Sequence, residues 1–159
     1  MPHVLAPQVH KPITIGALVI SGAIPILALA GTALTGGPLA ASAVDALIDY
    51  SAVVVGFLGG VRWGGEIMRA PTAPNVSRLA CAAASTVVAW AALSMPSQRP
   101  ALGLLLLAAA IQLAWDVHAA HTGRLPAWTA PLRIAVAALA GIFLVAVIAL
   151  APASQVAAP

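Results

Sequence analysis

The chain is 159 residues long, 62% hydrophobic and only 7% charged, with a mean hydropathy of +1.03, whereas soluble domains carry roughly a quarter charged residues. An ordinary water-soluble domain is excluded, because too little polar surface exists to face water. The formal charge of +3 is spread over scattered residues without a basic run, so nucleic acid is not implied, and the single cysteine, Cys81, excludes an intrachain disulfide or a cysteine metal cluster.

Set against the ~20 apolar residues that span ~30 Å of hydrocarbon, the sequence predicts an all-α fold: one integral membrane bundle of five transmembrane helices with short loops. The spans are Ile13 to Leu34, Val44 to Met68, Leu79 to Met95, Ala101 to Ala120 and Leu132 to Ala151. Gly36, Gly37 and Pro38, then Pro71, Pro74 and Asn75, Pro96 and Pro100, and Gly123, Pro126 and Pro131 punctuate the gaps, as such residues belong outside helix interiors or in their first turn. Short connections make sequential helices antiparallel neighbours.

In the first span, Pro12 suits a first-turn position. Pro25 falls mid-span, removes a backbone hydrogen bond and should kink the helix, with a neighbouring helix covering the freed carbonyl. A cleaved leader, with Lys11 as its charged region and Ala28-Leu29-Ala30 as its cleavage site, is the weaker reading, because the apolar run continues to Leu34.

The second span is the most informative. Ser42 with Asp45 fits a capping box at its start, and Asp49, one turn deeper, sits where the helix dipole favours a carboxylate. Ala52, Gly56, Gly60 and Gly64 recur every four residues, a stripe of small side chains that lets a second helix approach closely. Packing within the bundle is the expected use, so Gly60→Leu should damage the fold more than Ala52→Leu; a homodimer seam is the second reading. Arg62 and Glu66 then share one face near the helix end. Arg before Glu is the weaker order, and Glu66 lies at the negative end of the dipole, so Arg69 is expected to assist. The plain reading of this trio is an interfacial network with Arg62 snorkelling to water.

Ser77 is the expected N-cap of the third span, while Pro100 and Pro131 suit the first turns of the fourth and fifth. The fourth closes with Gln112, Trp115, Asp116, His118 and His121. Asp116 matches Arg62 in depth, so Arg62 should bond Glu66 or Asp116. Removing Arg62 alone should then cost more than removing it together with its carboxylate's charge. His118 and His121 are spaced for a metal or haem, but a metal normally needs three or four ligands, and a helix C-terminus favours a positive imidazole anyway. No metal and no cofactor is expected. Trp63, Trp90, Trp115 and Trp128 sit near span ends, as an aromatic belt would.

The stretch Tyr50-Ser51-Ala52-Val53-Val54-Val55-Gly56-Phe57-Leu58-Gly59-Gly60-Val61-Arg62-Trp63-Gly64 resembles the signature of the transmembrane protein 69-like family, also called domain of unknown function 3429, found in bacteria and mitochondria. Gly22-Ala23-Ile24-Pro25, and Leu125-Pro126-Ala127-Trp128 followed by Leu132-Arg133, are similar to two further family elements, whereas Thr129-Ala130-Pro131 departs from a more basic family version. The resemblance implies a small multi-helix inner-membrane protein. It supplies no activity and no catalytic residue.

Five spans place Lys11, Arg69, Arg78, Arg124 and Arg133 on the N-terminal side and Arg99 on the other. The positive-inside rule then puts the N-terminus in the cytoplasm, or its mitochondrial-matrix equivalent, and the C-terminus outside; the Ala/Gly/Pro-rich composition leans toward a bacterial inner membrane. The expected function is non-enzymatic: an accessory, assembly or stabilising subunit, partnered by the lipid bilayer and by other membrane subunits. The alternative is a small transporter or channel built on the charge cluster Arg62, Glu66, Asp116 and His118. Charges confined to one end and the lack of an internal repeat argue against it.

Overall fold

A computed structural model of the chain describes residues 12–68, 73–125 and 129–151, and among them every regular element is a helix. In chain order these are α1 (Pro12–Ser21), α2 (Ile24–Leu34), α3 (Ala40–Ile67), α4 (Val76–Leu93), α5 (Gln98–His121) and α6 (Thr129–Leu150). The last four are each long and apolar enough to cross a membrane, and a shorter apolar segment precedes them. Lys11, Arg69, Pro71, Pro126 and Trp128 lie outside the described residues.

The expected first helix is two helices. The chain turns at Gly22 and Ala23, with the Ala23 amide donating to the Ile20 carbonyl at 2.9 Å, and Pro25 becomes the second residue of α2. There its missing N–H has no intrahelical partner to lose, so a break is cheaper than the kink expected from a proline in mid-helix. The Tyr50 hydroxyl of α3 donates to the Gly22 carbonyl at 2.8 Å. A neighbouring helix thus covers the oxygen that the break uncovers, as a low-dielectric surrounding requires. Ala28-Leu29-Ala30 lies inside α2, with Ala30 fully buried.

Helix starts fall earlier than the apolar runs suggest. Gly36 turns the chain with φ 67°, and α3 begins at Ala40 behind Leu39, which makes no side-chain cap. Ser42 and Asp45 therefore sit within α3, and the capping box is replaced by a bond across the bundle in which the Gln98 amide donates to Asp45. Ser77 likewise lies inside α4; the cap is Asn75, whose side-chain oxygen accepts from the Arg78 amide at 3.2 Å. Pro12, Pro100 and Pro131 occupy the first, third and third residues of α1, α5 and α6, where no intrahelical donor is needed.

α3 is the central helix, packed against α2, α4 and α5, while α6 closes the bundle against α5 and α2. Val44, Leu47, Leu102, Leu105 and Val147 are its most deeply buried large side chains, joined by Ile26, Ala30, Ala33, Ala92 and Leu144. Apart from Ile26, near the start of α2, these residues come from the start of α3 and α5 and the end of α2, α4 and α6, so the apolar core fills one half of the bundle. Val53, Phe57, Trp90, Ile111, Ile142 and Leu150 point outward, a pattern that suits lipid and not water.

Candidate functional site

The other half of the bundle is organised by charge. Arg62 lies five residues before the end of α3 and Asp116 five before the end of α5, each about 7.5 Å inside its helix terminus. Arg133, the fifth residue of α6, is about 6 Å inside the start of that helix. Matching depths on three packed helices bring the groups together. The Arg62 Nε donates to Asp116 Oδ1 at 2.9 Å, its Nη2 donates to the Gln112 carbonyl at 2.6 Å, and Arg133 donates to Asp116 Oδ2. The Asp116 side chain is only 7% exposed. Removing a carboxylate from water costs several kcal/mol, and two guanidiniums on its two oxygens offset that cost through charge-assisted hydrogen bonds.

Gln112, one turn before Asp116, is also buried, and its Nε2 donates to the Val55 carbonyl at 3.1 Å, joining α5 to α3. Its Oε1 has no hydrogen-bond partner. Glu66 belongs to the corner between α3 and α4: Oε1 accepts from the Asn75 amide at 3.1 Å, and Oε2 lies 3.6 Å from Arg78 Nη1.

Of the charge cluster expected from the sequence, Arg62 and Asp116 meet directly, Glu66 faces α4, and His118 sits on the exposed side of α5. The last follows from helix geometry, since two residues of α-helix rotate a side chain by about 200° away from the buried Asp116. Arg133 was missed because the apolar run places it at the very start of its span; α6 begins three residues earlier, at Thr129, which carries Arg133 into the bundle. Gln112 was visible in the sequence, but its bond to Val55 was not. Among the described residues, no three His, Cys, Asp or Glu side chains converge to hold a metal. Trp63 and Trp115 are partly exposed at this end and Trp90 near the opposite one.

The small-residue stripe needs correction. A Cβ built on Gly56, Gly60 or Gly64 would meet nothing within 4 Å, whereas one on Gly59 would lie 2.6 Å from the Ala82 carbonyl oxygen and 2.7 Å from Ser85 Cβ. The tight helix crossing is therefore one residue away from the stripe. Gly59 meets Ala82 and Ser85 of α4, and Ser51 and Val55, at four-residue spacing before it, are buried as well. Gly56, Gly60 and Gly64 look out of the bundle, because α4 docks on the row that also carries the buried Ser51.

Between α3, α4 and α5 a cavity of about 340 Å³ opens at the charged end, lined among others by Arg62, Glu66, Arg78, Gln112, Asp116 and Arg133. A more open groove of about 610 Å³ adjoins it along α5 and shares Arg78, Ile111, Trp115 and Arg124 with it. At the opposite end the ties are simpler: Gln98 to Asp45, and Arg99 Nη2 donating to the Ala151 carbonyl at 3.1 Å.

No curated protein and no solved structure matches this chain. Residues 11–149 match the model of a family described as a protein of unknown function, DUF3429. That match takes in all six helices except the last residue of α6, and the chain belongs to this family.

Proposed function

We propose that the chain is a non-catalytic, multi-pass protein of a bacterial inner membrane that serves as an accessory, assembly or stabilising subunit of a larger membrane complex. In this reading α1 and α2 together make the first of five spans, divided by the turn at Gly22 and Ala23. The N-terminus is cytoplasmic, and the chain falls within the transmembrane protein 69-like branch that its glycine-rich segment resembles.

The observation that carries the reading is that both Asp116 oxygens are taken up by Arg62 and Arg133, while the interior beyond them is filled by Leu47, Leu102, Leu105 and Val147. Buried charge that closes on itself and ends against an apolar plug serves the fold and offers no polar path across it. The working surfaces are then the outer helix faces, and the outward row Gly56, Gly60 and Gly64 is where a partner helix, or a second copy of this chain, would approach closest.

Purification of the full chain in mild detergent, with mass spectrometry of co-eluting subunits, tests this. A stoichiometric partner that is lost in Gly60→Leu, with the fold retained, is the expected result. A lone monomer that moves a solute across liposomes overturns it and supports the alternative, a small transporter or channel working through Arg62, Glu66 and Asp116.

A further inference from the structure

We infer that the charged end of the bundle binds an anionic phospholipid, its phosphate held between Arg78 and Arg124 and its acyl chain laid along the groove of α5 formed by Ile111, Ala114 and Trp115. Four guanidiniums, Arg62, Arg78, Arg124 and Arg133, line the inner cavity against two carboxylates, Glu66 and Asp116, which leaves an excess of two positive charges. Both carboxylates are engaged within the protein, Asp116 by Arg62 and Arg133, Glu66 by the Asn75 amide and Arg78. An entering anion therefore meets a cationic surplus in a partly dry site, where its charge is screened less than in bulk water.

The adjoining groove supplies the apolar half of the match. Ile111 is 60% exposed and Trp115 38%, and His118 stands beside them in the same groove. Leu107, one turn further along α5, is 58% exposed and continues the apolar track toward the middle of the bundle. A cationic mouth, an indole at headgroup level and an apolar track below fit a lipid, and basic pockets between helices are a recurrent way of holding anionic headgroups. Phosphatidylglycerol, with one phosphate and a net negative charge, meets both requirements. The site does not depend on whether the chain works alone or inside a complex.

The test is native mass spectrometry of the full chain in mild detergent, titrated with phosphatidylglycerol, with phosphatidylcholine and with soluble glycerol phosphate. Phosphatidylglycerol should bind about thirtyfold more tightly than phosphatidylcholine, as roughly one basic group's worth of attraction for each of the two excess charges allows. Glycerol phosphate should not displace it at equal concentration. Arg78→Gln combined with Arg124→Gln should reduce the preference to about twofold or less. Ala114→Trp fills the groove from an exposed position, keeps every charge, and should weaken phosphatidylglycerol binding severalfold; it decides the matter if the arginine double variant fails to fold. Arg99→Gln, which removes one charge from the opposite end, should leave the preference intact. Equal binding of the two lipids, displacement by glycerol phosphate, undiminished phosphatidylglycerol binding in Ala114→Trp, or an equal loss of preference in Arg99→Gln would each overturn the inference.

Discussion

The two halves of the bundle solve the same assembly problem with different chemistry. Around Val44, Leu47, Leu102, Leu105 and Val147 the helices interlock through aliphatic shape, and the polar ties there, Asp45 with Gln98 and Arg99 with the Ala151 carbonyl, each involve a single ionised partner near the surface. At the other end Arg62, Asp116 and Arg133 join three helices at one buried carboxylate, Gln112 bonds to Val55, and a cavity remains beside them. Helices in lipid gain no hydrophobic drive from meeting one another, so they associate through close packing or through polar bonds. The aliphatic half spreads its stabilisation over many small contacts. The charged half concentrates it in a few groups and is the more vulnerable to a single substitution.

The largest effect should come from Asp116→Ala, which strands Arg62 and Arg133 together; breaking a buried pair typically costs about 3–5 kcal/mol. Thermal unfolding in detergent measures it, and a loss no greater than that of Gln98→Ala would erase the contrast between the halves. Arg62→Ala should cost less, because Arg133 still holds the other oxygen of Asp116. That second arginine also changes the expectation drawn from Arg62 and one carboxylate alone. Neutralising Asp116 in an Arg62→Ala background leaves Arg133 without its partner, so the double variant should be at least as unstable as the single one.

Next comes the helix crossing. Gly59→Leu should lose about 1–3 kcal/mol by overpacking against the α4 backbone, while Gly60→Leu should stay within about 0.5 kcal/mol of wild type as an outward-facing change. The same unfolding assay separates them, and equal losses would mean that α4 docks on a different row of α3. The order expected from the spacing of the glycines alone, with Gly60 the sensitive position, is thereby replaced by one centred on Gly59.

Tyr50→Phe should cost about 1 kcal/mol, the worth of one hydrogen bond, and should raise hydrogen exchange in the turn between α1 and α2, where the Gly22 carbonyl loses its cover. Unchanged exchange there would show that the break holds without help from α3. Smallest of all, Gln98→Ala should cost about 0.5 kcal/mol, because its bond to Asp45 is exposed to solvent and exposed polar ties contribute little.

The four long helices and their rough extent were legible because an apolar run long enough to span hydrocarbon has few other stable forms, and Pro12, Pro100 and Pro131 mark first turns by their lack of an amide hydrogen; the division of the first predicted span into α1 and α2 was not. Matching depth narrowed the partner of Arg62 to Glu66 or Asp116, and helix docking selects Asp116. The exact starts could not be read, since Asn75 and the Gly36 turn outcompete Ser77 and the Ser42–Asp45 pair for local backbone groups. Nor could the rotation of each helix. Gly59 rather than Gly60 meets α4, and Arg133 and Gln112 complete the charged end, only once the helices have docked. In a soluble helix, polar residues label the outer face; here lipid and protein interior are both apolar, so the sequence carries little record of which side faces in. A shift of one residue turns that face by about 100°, and only packing against neighbours selects it.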